Sequence, residues 1–360
     1  FLLVENGVLR ERETVDLLLS GQYPCRNTDQ NMADLGAQIA ANETGVRELR
    51  KMIEHFGLGV VWAYMGHVQD NAEESVRRVL DVLKDGEFTY AMDRGREIKV
   101  KITVDKEARR ASVDFTGTSA QDPGNFNAPT AVAKAAVLYV FRTLVDDEIP
   151  LNEGCLKPLD IIVPEGSMLA PKFPAAVIAG NTETSQCITD CLYGALGVLA
   201  SAQGTMNNFI FGDDRHQYYE TICGGSGAGP DFDGADAVHT NMTNTRLTDP
   251  EVLEWRFPVR LEEFAVRHGS GGAGRHRGGN GATRRIRFLE PLTATILSGH
   301  RETDPYGLAG GKSGARGRNA VERVDGSVDE LLGADGTEMN AGDVFVIETP
   351  GGGGYGEPAS

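Results

Sequence analysis

His239–Val259, HTNMTNTRLTDPEVLEWRFPV, and Gly269–Gly281, GSGGAGRHRGGNG, are the stretches whose reading decides this chain. The opening residues of the first, His239–Arg246, gather amides, hydroxyls, one imidazole and one guanidinium, with little apolar to bury. The second carries seven glycines in thirteen positions. Glycine is favoured where backbone takes a positive φ or approaches another group closely. A polar donor and acceptor cluster beside pliant backbone points to a site or a subunit contact rather than to core.

The glycines invite a nucleotide reading, and their flanks remove it. GSGGAG (269–274) has the form G-x-G-x-x-G, which binds dinucleotides only between a strand and a helix. FAVRH supplies a strand, but RHRGGNG cannot start a stable helix. GLAGGKS (307–313) is one residue short of a phosphate-binding loop and runs on into more glycines and arginines. Gly224–Ala228, GGSGA, ends in Ala where a nucleophile elbow needs Gly. No H-E-x-x-H, C-x-x-C or D-x-D-x-D-G pattern appears. His216 and His239 lie near Asp213, Asp214 and Asp236 in sequence, but that spacing defines no metal site.

Composition sets further bounds. The chain has 360 residues, 40% of them hydrophobic, and a net charge of −17. Nucleic-acid binding needs clustered Lys and Arg, so no nucleic-acid partner is expected. The basic run at Arg275, His276 and Arg277, with Arg284, Arg285 and Arg287 beyond it, reads as an ion-paired face or an anion-binding corner. No apolar run approaches the roughly 18 residues of a membrane span, and no membrane partner is expected. Five irregularly spaced cysteines fit a reduced, cytoplasmic protein. Cys187 and Cys191 read as two small buried residues on one helix. The chain opens at Phe1, and FLLVENGVL reads as the interior of a longer polypeptide.

The pattern predicts an α+β (mixed α/β) fold with a mainly helical part over 1–90, an α/β part over 91–204 and a β-rich, Gly-rich part over 205–360. A strand and a short helix lead into the polar loop GQYPCRNT. Apolar residues near a 3.6 period predict helices over 30–56, with Asp29 as its cap, and over about 60–83. A short Gly turn between them suggests an antiparallel helical hairpin. EIKVKITVD (97–105) and ASVDFTGT (111–118) alternate as paired strands. A buried helix is expected over 131–147 and strands over 158–164 and 175–180. The second of these strands, AAVIAG, would lead into the apolar helix QCITDCLYGALGVLASAQG. NNFIFG, QYYETICGG, RRIRFLEPLTATILSG, NAVERV and DVFVIETP read as further strands.

NTETSQ (181–186) has two readings. Asn181 or Thr182 caps the following helix and Glu183 complements its dipole, or the cluster faces a cleft at a strand end. ETICGG (220–225) and NMTNTR (241–246) divide likewise between loop residues satisfying their own backbone and groups holding a polar substrate or partner. The candidate substrate or subunit contacts are Asn181, Glu183, Thr184, Gln186, Asn207, Asn208, Glu220, His239, Asn241, Thr243, Asn244 and Arg246.

These same segments carry a resemblance. HTNMTNTRLTDPEVLEWRFPV with RHGSGGAGRHRGGNGATRRIRF resembles the C-terminal part of the hydantoinase B/oxoprolinase family. So do NTDQNMADLGAQIAAN, AYMGHVQDNAEESVR, FNAPTAVAKAAV, IPLNEGCLKPL, AGNTETSQ, QGTMNNFIFG, YYETICGGSGAGP, PYGLAGGKSGARG and DVFVIETPGGGGYGEP, in family order over nearly the whole chain. HTNMTNTRLTDPE and YYETICGGSGAGP look more like the 5-oxoprolinase branch than the acetone carboxylase branch.

The resemblance implies ATP-dependent opening of a cyclic amide such as 5-oxoproline, giving glutamate, ADP and phosphate. It implies ATP with Mg cleaved on a hydantoinase A-like ATPase subunit or domain, in a hetero-oligomer with self-association. Other lactams, a hydantoin, or carboxylation of a ketone are the alternative chemistries, and a non-catalytic buttressing role is the alternative of another class. Two departures from the family pattern stand out. Relatives continue upstream into a region whose Asp and His bind a divalent metal such as zinc or manganese, and this chain has no counterpart. Many relatives also have His where this chain has Asn241.

Overall fold

The computed structural model describes residues 1–21, 24–25, 27–243 and 245–358. Gln22, Tyr23 and Arg26 of the expected GQYPCRNT loop, and the candidate Asn244, lie outside the described residues. The chain forms two compact units, Phe1–Asp70 and Asn71–Ser360. The fold class is the mixed α+β expected from the sequence.

In the first unit the two-residue strands β1 (Val4–Glu5) and β2 (Val8–Leu9) pair antiparallel. Helix α1 (Glu11–Leu19) follows, then α2 (Thr28–Phe56). The cap of α2 is Asn27, whose side chain accepts from Gln30 N–H at 3.1 Å, rather than Asp29 in the first turn. Helix α3 (Leu58–Val82) begins one residue after α2 ends, at Gly57 with φ 83° and ψ 146°. Antiparallel helices turn on two to five loop residues, and a one-residue joint is shorter than that. The apolar residues beside the joint stay in solvent: Phe56 is 56%, Leu58 62% and Trp62 74% exposed.

From Asn71 onward α3 is an ordinary amphipathic helix. Ala72, Val76, Val79 and Leu80 are buried, at the three- and four-residue spacing of one face. The first sheet contains β3 (Gly86–Ala91), β4 (Glu97–Asp105), β5 (Arg110–Asp114) and β6 (Leu159–Ile162), in that order. Only β5 and β6 are parallel, and helix α4 (Thr130–Thr143) lies in the connection between them, as parallel pairing requires a crossover. On β4, Ile98, Val100 and Ile102 alternate inward. Helix α5 (Ser185–Leu196) packs on β3, β4 and α4.

The expected strand over 175–180 is absent. The chain becomes helical at Ile178, and Gly180–Thr184 forms a π-helical turn that runs directly into α5. Short apolar runs do not separate strand from helix by periodicity, and here Ala176, Val177 and Ile178 are exposed, with burial beginning only at Ala179.

The remainder is β-rich. One sheet has the order β14 (Ala334–Met339), β11 (Leu292–Leu297), β7 (Asn208–Gly212), β8 (Gln217–Thr221). The other has the order β13 (Val328–Leu331), β12 (Arg318–Glu322), β15 (Val344–Glu348), β10 (Gly281–Phe288), β9 (Val259–Arg267). Between them lies an aromatic core, with Phe209 and Phe345 centroids 4.7 Å apart and Phe211 and Phe288 5.4 Å apart. Helix α6 (Pro250–Arg256) is capped by Asp249 with Pro250 at its start.

The glycine runs have a packing role. Segments around 225–229, 270–281, 305–315 and 350–356 lie backbone against backbone and exchange hydrogen bonds across segments. Gly352 N–H donates to Gly279 O at 2.8 Å, Gly272 N–H to Gly352 O at 2.8 Å, and Gly354 N–H to Lys312 O at 2.9 Å. A Cβ on Gly352 would overlap the Ser226 carbonyl, and one on Gly278 the Gly352 carbonyl. As at the crowded axis of collagen, only Gly fits. Neither GSGGAG nor GLAGGKS leads into a helix.

Candidate functional site

Helix α5 buries eleven of its twelve residues, and several of those are polar. Glu183, Gln186 and Asp190 recur at three and four residues, so they share one face. Their relative exposures are 1%, 0% and 0%. The facing segment, Ala200–Phe209, is buried throughout and supplies Gln203, Thr205, Asn207 and Asn208. His239, Thr240 and Asn241 border the same seam.

Hydrogen bonds join these pieces. Glu183 Oε1 accepts from Met206 N–H at 3.0 Å and from Asn208 Nδ2 at 2.7 Å. Gln186 Nε2 donates to Thr240 O at 2.9 Å. Asp190 accepts from Ser201 Oγ at 3.1 Å, Ala202 N–H at 3.3 Å and Asn241 Nδ2 at 3.1 Å. Asn207 Nδ2 donates to Gln203 Oε1 at 2.8 Å and to Ile222 O at 3.1 Å. Asn207 and Asn241 hold positive φ, 47° and 53°, a region Asn tolerates better than most residues.

The seam carries more polar atoms than it satisfies. Glu183 Oε2, Gln186 Oε1, Gln203 Nε2, Asn207 Oδ1, His239 Nδ1 and Thr240 Oγ1 are buried without a well-formed hydrogen bond to the described residues. Native interiors leave few such groups, and six in one seam give it spare capacity to bond water or another polar group. The π-turn on which Glu183 sits is a rare geometry frequent at functional sites.

Burial sets the electrostatics. Desolvation pushes the Glu183 carboxyl up to about 8, against the opposing bonds from Thr205, Met206 and Asn208 and the charge of Arg301. Desolvation likewise pushes Asp190 up to about 7, against the bonds from Ala202, Ser201 and Asn241. Burial lowers His239 below the ordinary histidine value, so its imidazole is neutral at pH 7. Two carboxyls that exchange protons near neutral pH beside neutral amides suit general acid–base work.

Other candidates lie elsewhere. Asn181 is exposed, and its carbonyl accepts from Ser185 Oγ at 2.8 Å. Neither it nor Thr182 caps the helix, which has already begun at Ile178. Thr184 turns to the other side and donates to Phe126 O at 2.6 Å. Glu220 belongs to the β core: Arg284 Nε donates to it at 2.7 Å, Arg284 Nη2 at 3.0 Å and Tyr218 OH at 2.7 Å, with the Arg and Glu side chains each 1% exposed. Thr243 Oγ1 lies 3.1 Å from Thr245 Oγ1, and Arg246 is exposed. Of the basic run, Arg277 pairs with Asp236, Arg285 with Glu322 and Arg287 with Glu262, while Arg275 donates to Pro230 O and Arg284 lies in the core.

Asp190, Gln203 and Thr205 were not among the sequence candidates. Asp190 carried a readable signal, an acid seven residues from Glu183 inside an apolar helix. Tyr90 and His300, whose Oη and Nε2 meet at 2.6 Å near Glu183, are 210 residues apart and carried none.

Comparison with known proteins adds to this geometry. The chain is 45% identical to 5-oxoprolinase 1 of Arabidopsis thaliana over 99% of its own length and 30% of that protein. It is 44% identical to 5-oxoprolinase of Dictyostelium discoideum, over 93% of this chain and 27% of that protein. The chain therefore spans about 30% of the length of these relatives. Among solved structures, ATP-dependent caprolactamase from Pseudomonas jessenii superposes with a TM-score of 0.84 at 23% identity, covering 99% of this chain and 65% of that one. Acetone carboxylase in its nucleotide-free form gives 0.84 at 16% identity, covering 99% and 56%. These two likenesses speak to the fold alone. The hydantoinase B/oxoprolinase pattern matches residues 1–358, and the chain belongs to the hydantoinase B/oxoprolinase family.

Proposed function

We propose that this chain is the part of an ATP-dependent cyclic-amide hydrolase, of 5-oxoprolinase type, that helps open 5-oxo-L-proline to L-glutamate. ATP with Mg is cleaved on a hydantoinase A-like subunit or domain in the same assembly. The observation that carries this reading is 42–45% identity to 5-oxoprolinases of a plant, an amoeba and a yeast across 93–99% of the chain.

The chemistry explains the need for ATP. An unstrained lactam is a poor electrophile. Transfer of the terminal phosphoryl group to the amide oxygen makes the ring carbon electrophilic. Water adds there and the carbon–nitrogen bond breaks as the departing amine takes a proton, leaving an acyl phosphate that a second water hydrolyses to carboxylate and phosphate. The sum is lactam, ATP and two waters giving glutamate, ADP and phosphate. In this chain Glu183 and Asp190 are the groups able to hold or accept that proton near pH 7. Gln186, Gln203 and Asn207 present amide atoms with bonding capacity to spare. Asn208 and Asn241 orient the two carboxyls. Among the described residues no three His, Cys, Asp or Glu side chains converge to hold a metal ion.

A second reading, buttressing without catalytic groups, is favoured by how tightly the seam is closed. The test is to offer the complete assembly 5-oxoproline, hydantoin and acetone in turn with ATP and bicarbonate, and to measure ADP and product. Glutamate formed with matching ADP supports the proposal. Turnover of hydantoin or acetone alone overturns the substrate assignment.

A further inference from the structure

Beside Glu183 lies a cavity of about 10 Å³, room for one water, whose polar lining is Tyr90, Asp93, Arg96, Glu183, Cys187, His300 and Thr303. The unbonded Glu183 Oε2 lies at the Gly299 edge of this cavity. Gly204, at φ 61°, is also part of its wall, and any side chain there would collide with His300 Nε2 and Tyr90 Oη.

The hydrogen bonds around His300 fix a direction. Its Nδ1 faces Thr303 O at 2.9 Å, and a carbonyl oxygen can only accept, so Nδ1 carries a proton. Burial lowers the affinity of the ring for a second proton, so Nε2 is bare. Tyr90 Oη, 2.6 Å from Nε2, therefore donates to it. Thr303 Oγ1 lies 3.2 Å from Nδ1 and donates to Asp93 Oδ1 at 2.9 Å. Asp93 also accepts backbone N–H groups from Arg301, Glu302 and Thr303. Every donor in this chain of bonds points from Tyr90 toward Asp93, which lines the far side of the cavity and is half-buried, whereas Glu183 is sealed.

We propose that Glu183, one water, Tyr90, His300, Thr303 and Asp93 form a proton relay between the interior seam and the protein surface. The proton on Glu183 passes to the water, which gives one of its own to Tyr90 Oη. Tyr90 releases its proton to His300 Nε2, His300 its Nδ1 proton to Thr303 Oγ1, and Thr303 its hydroxyl proton to Asp93. One proton moves in net and each intermediate group keeps its charge; because Nδ1 faces the Thr303 carbonyl, His300 returns to its starting tautomer before the next transfer. The groups that face Glu183 are Cys187 on its own helix, Tyr90 on β3, Tyr219 on β8, and Asp93, His300 and Arg301 on the loops that enclose it. Arg301 favours the ionised carboxyl, and Arg96, which donates to Asp122 at 2.7 Å, is a second cation on the cavity lining, so the carboxyl can release its proton as well as hold it. The relay rests on Glu183 as a proton-holding group and not on which cyclic amide is opened.

Infrared difference spectroscopy of the complete assembly, without substrate or ATP, tests it. A protonated carboxyl band at pH 7 that disappears in Glu183→Gln is expected, and its absence overturns the proposal. After transfer to D₂O that band shifts as its proton exchanges. Tyr90→Phe, which keeps the ring, and His300→Gln are each expected to slow the shift at least tenfold while the band itself remains. Exchange as fast as in the parent in both variants overturns the relay. Failure of 5-oxoproline turnover leaves these readouts unchanged, so the two readings fail separately.

Discussion

Gly352→Ala probes the glycine packing that organises the C-terminal part. The new Cβ would fall on the Ser226 carbonyl carbon and oxygen, with Gly227 N at 2.8 Å. All three are backbone atoms, so no side chain can swing aside. Gly352 has no positive φ, so the cost is steric rather than conformational. Overpacking a core costs typically 1–3 kcal/mol when side chains yield. Here the 350–356 segment must shift, which strains the Gly352 N–H bond to Gly279 O and the Gly272 N–H bond to Gly352 O, each worth about 1 kcal/mol net. The sum is about 3–5 kcal/mol, or a fall of roughly 10 °C in melting temperature at 2–4 °C per kcal/mol. Gly166→Ala is the control. Its φ is 76° and nothing lies within 4 Å of its Cβ, so it bears only the left-handed penalty of roughly 1–2 kcal/mol. Chemical denaturation of both variants measures the difference. Gly352→Ala no costlier than Gly166→Ala would refute the argument that backbone contact selects glycine here.

Other predictions follow from the buried charges. For Glu183 the folded state binds the proton more tightly than the unfolded one, so stability is fully present below about pH 4.5 and declines as pH rises toward 8. The slope is about 1.4 kcal/mol per pH unit; Glu183→Gln is expected to flatten it, and urea midpoints at pH 5 and pH 8 check this. Arg284→Met leaves Glu220 buried without its cation and is expected to cost about 3–5 kcal/mol, whereas Arg284→Met with Glu220→Leu recovers much of the loss in denaturant titration. Asn241→Ala removes a bond that favours ionised Asp190, so the carboxyl is expected to titrate higher still, as read by infrared titration.

Elements written in local periodicity were legible. The buried face of α3, the alternation of β4 and the burial of α4 follow from neighbouring residues alone. AAVIAG failed because a six-residue apolar run fits strand or helix equally, and its apolar residues Val177 and Ile178 are in fact exposed. The joint at Gly57 was read as a turn, but turn geometry depends on residue count. Half of the seam was legible because Glu183, Gln186 and the Asn207–Asn208 pair are polar groups inside apolar runs. Glu220 looked alike in sequence, and its pairing with Arg284, 64 residues away, is a product of sheet order. The Tyr90–His300 bond depends on contacts across more than half the chain, where no local pattern can report it.

The most direct test of the account is turnover of 5-oxoproline by the complete assembly carrying Glu183→Gln. General acid–base groups contribute roughly 10²–10⁴-fold. The account predicts a fall in kcat of at least about 10²-fold, with the melting temperature at pH 7 not lowered. Parental kcat in a folded Glu183→Gln assembly would contradict it.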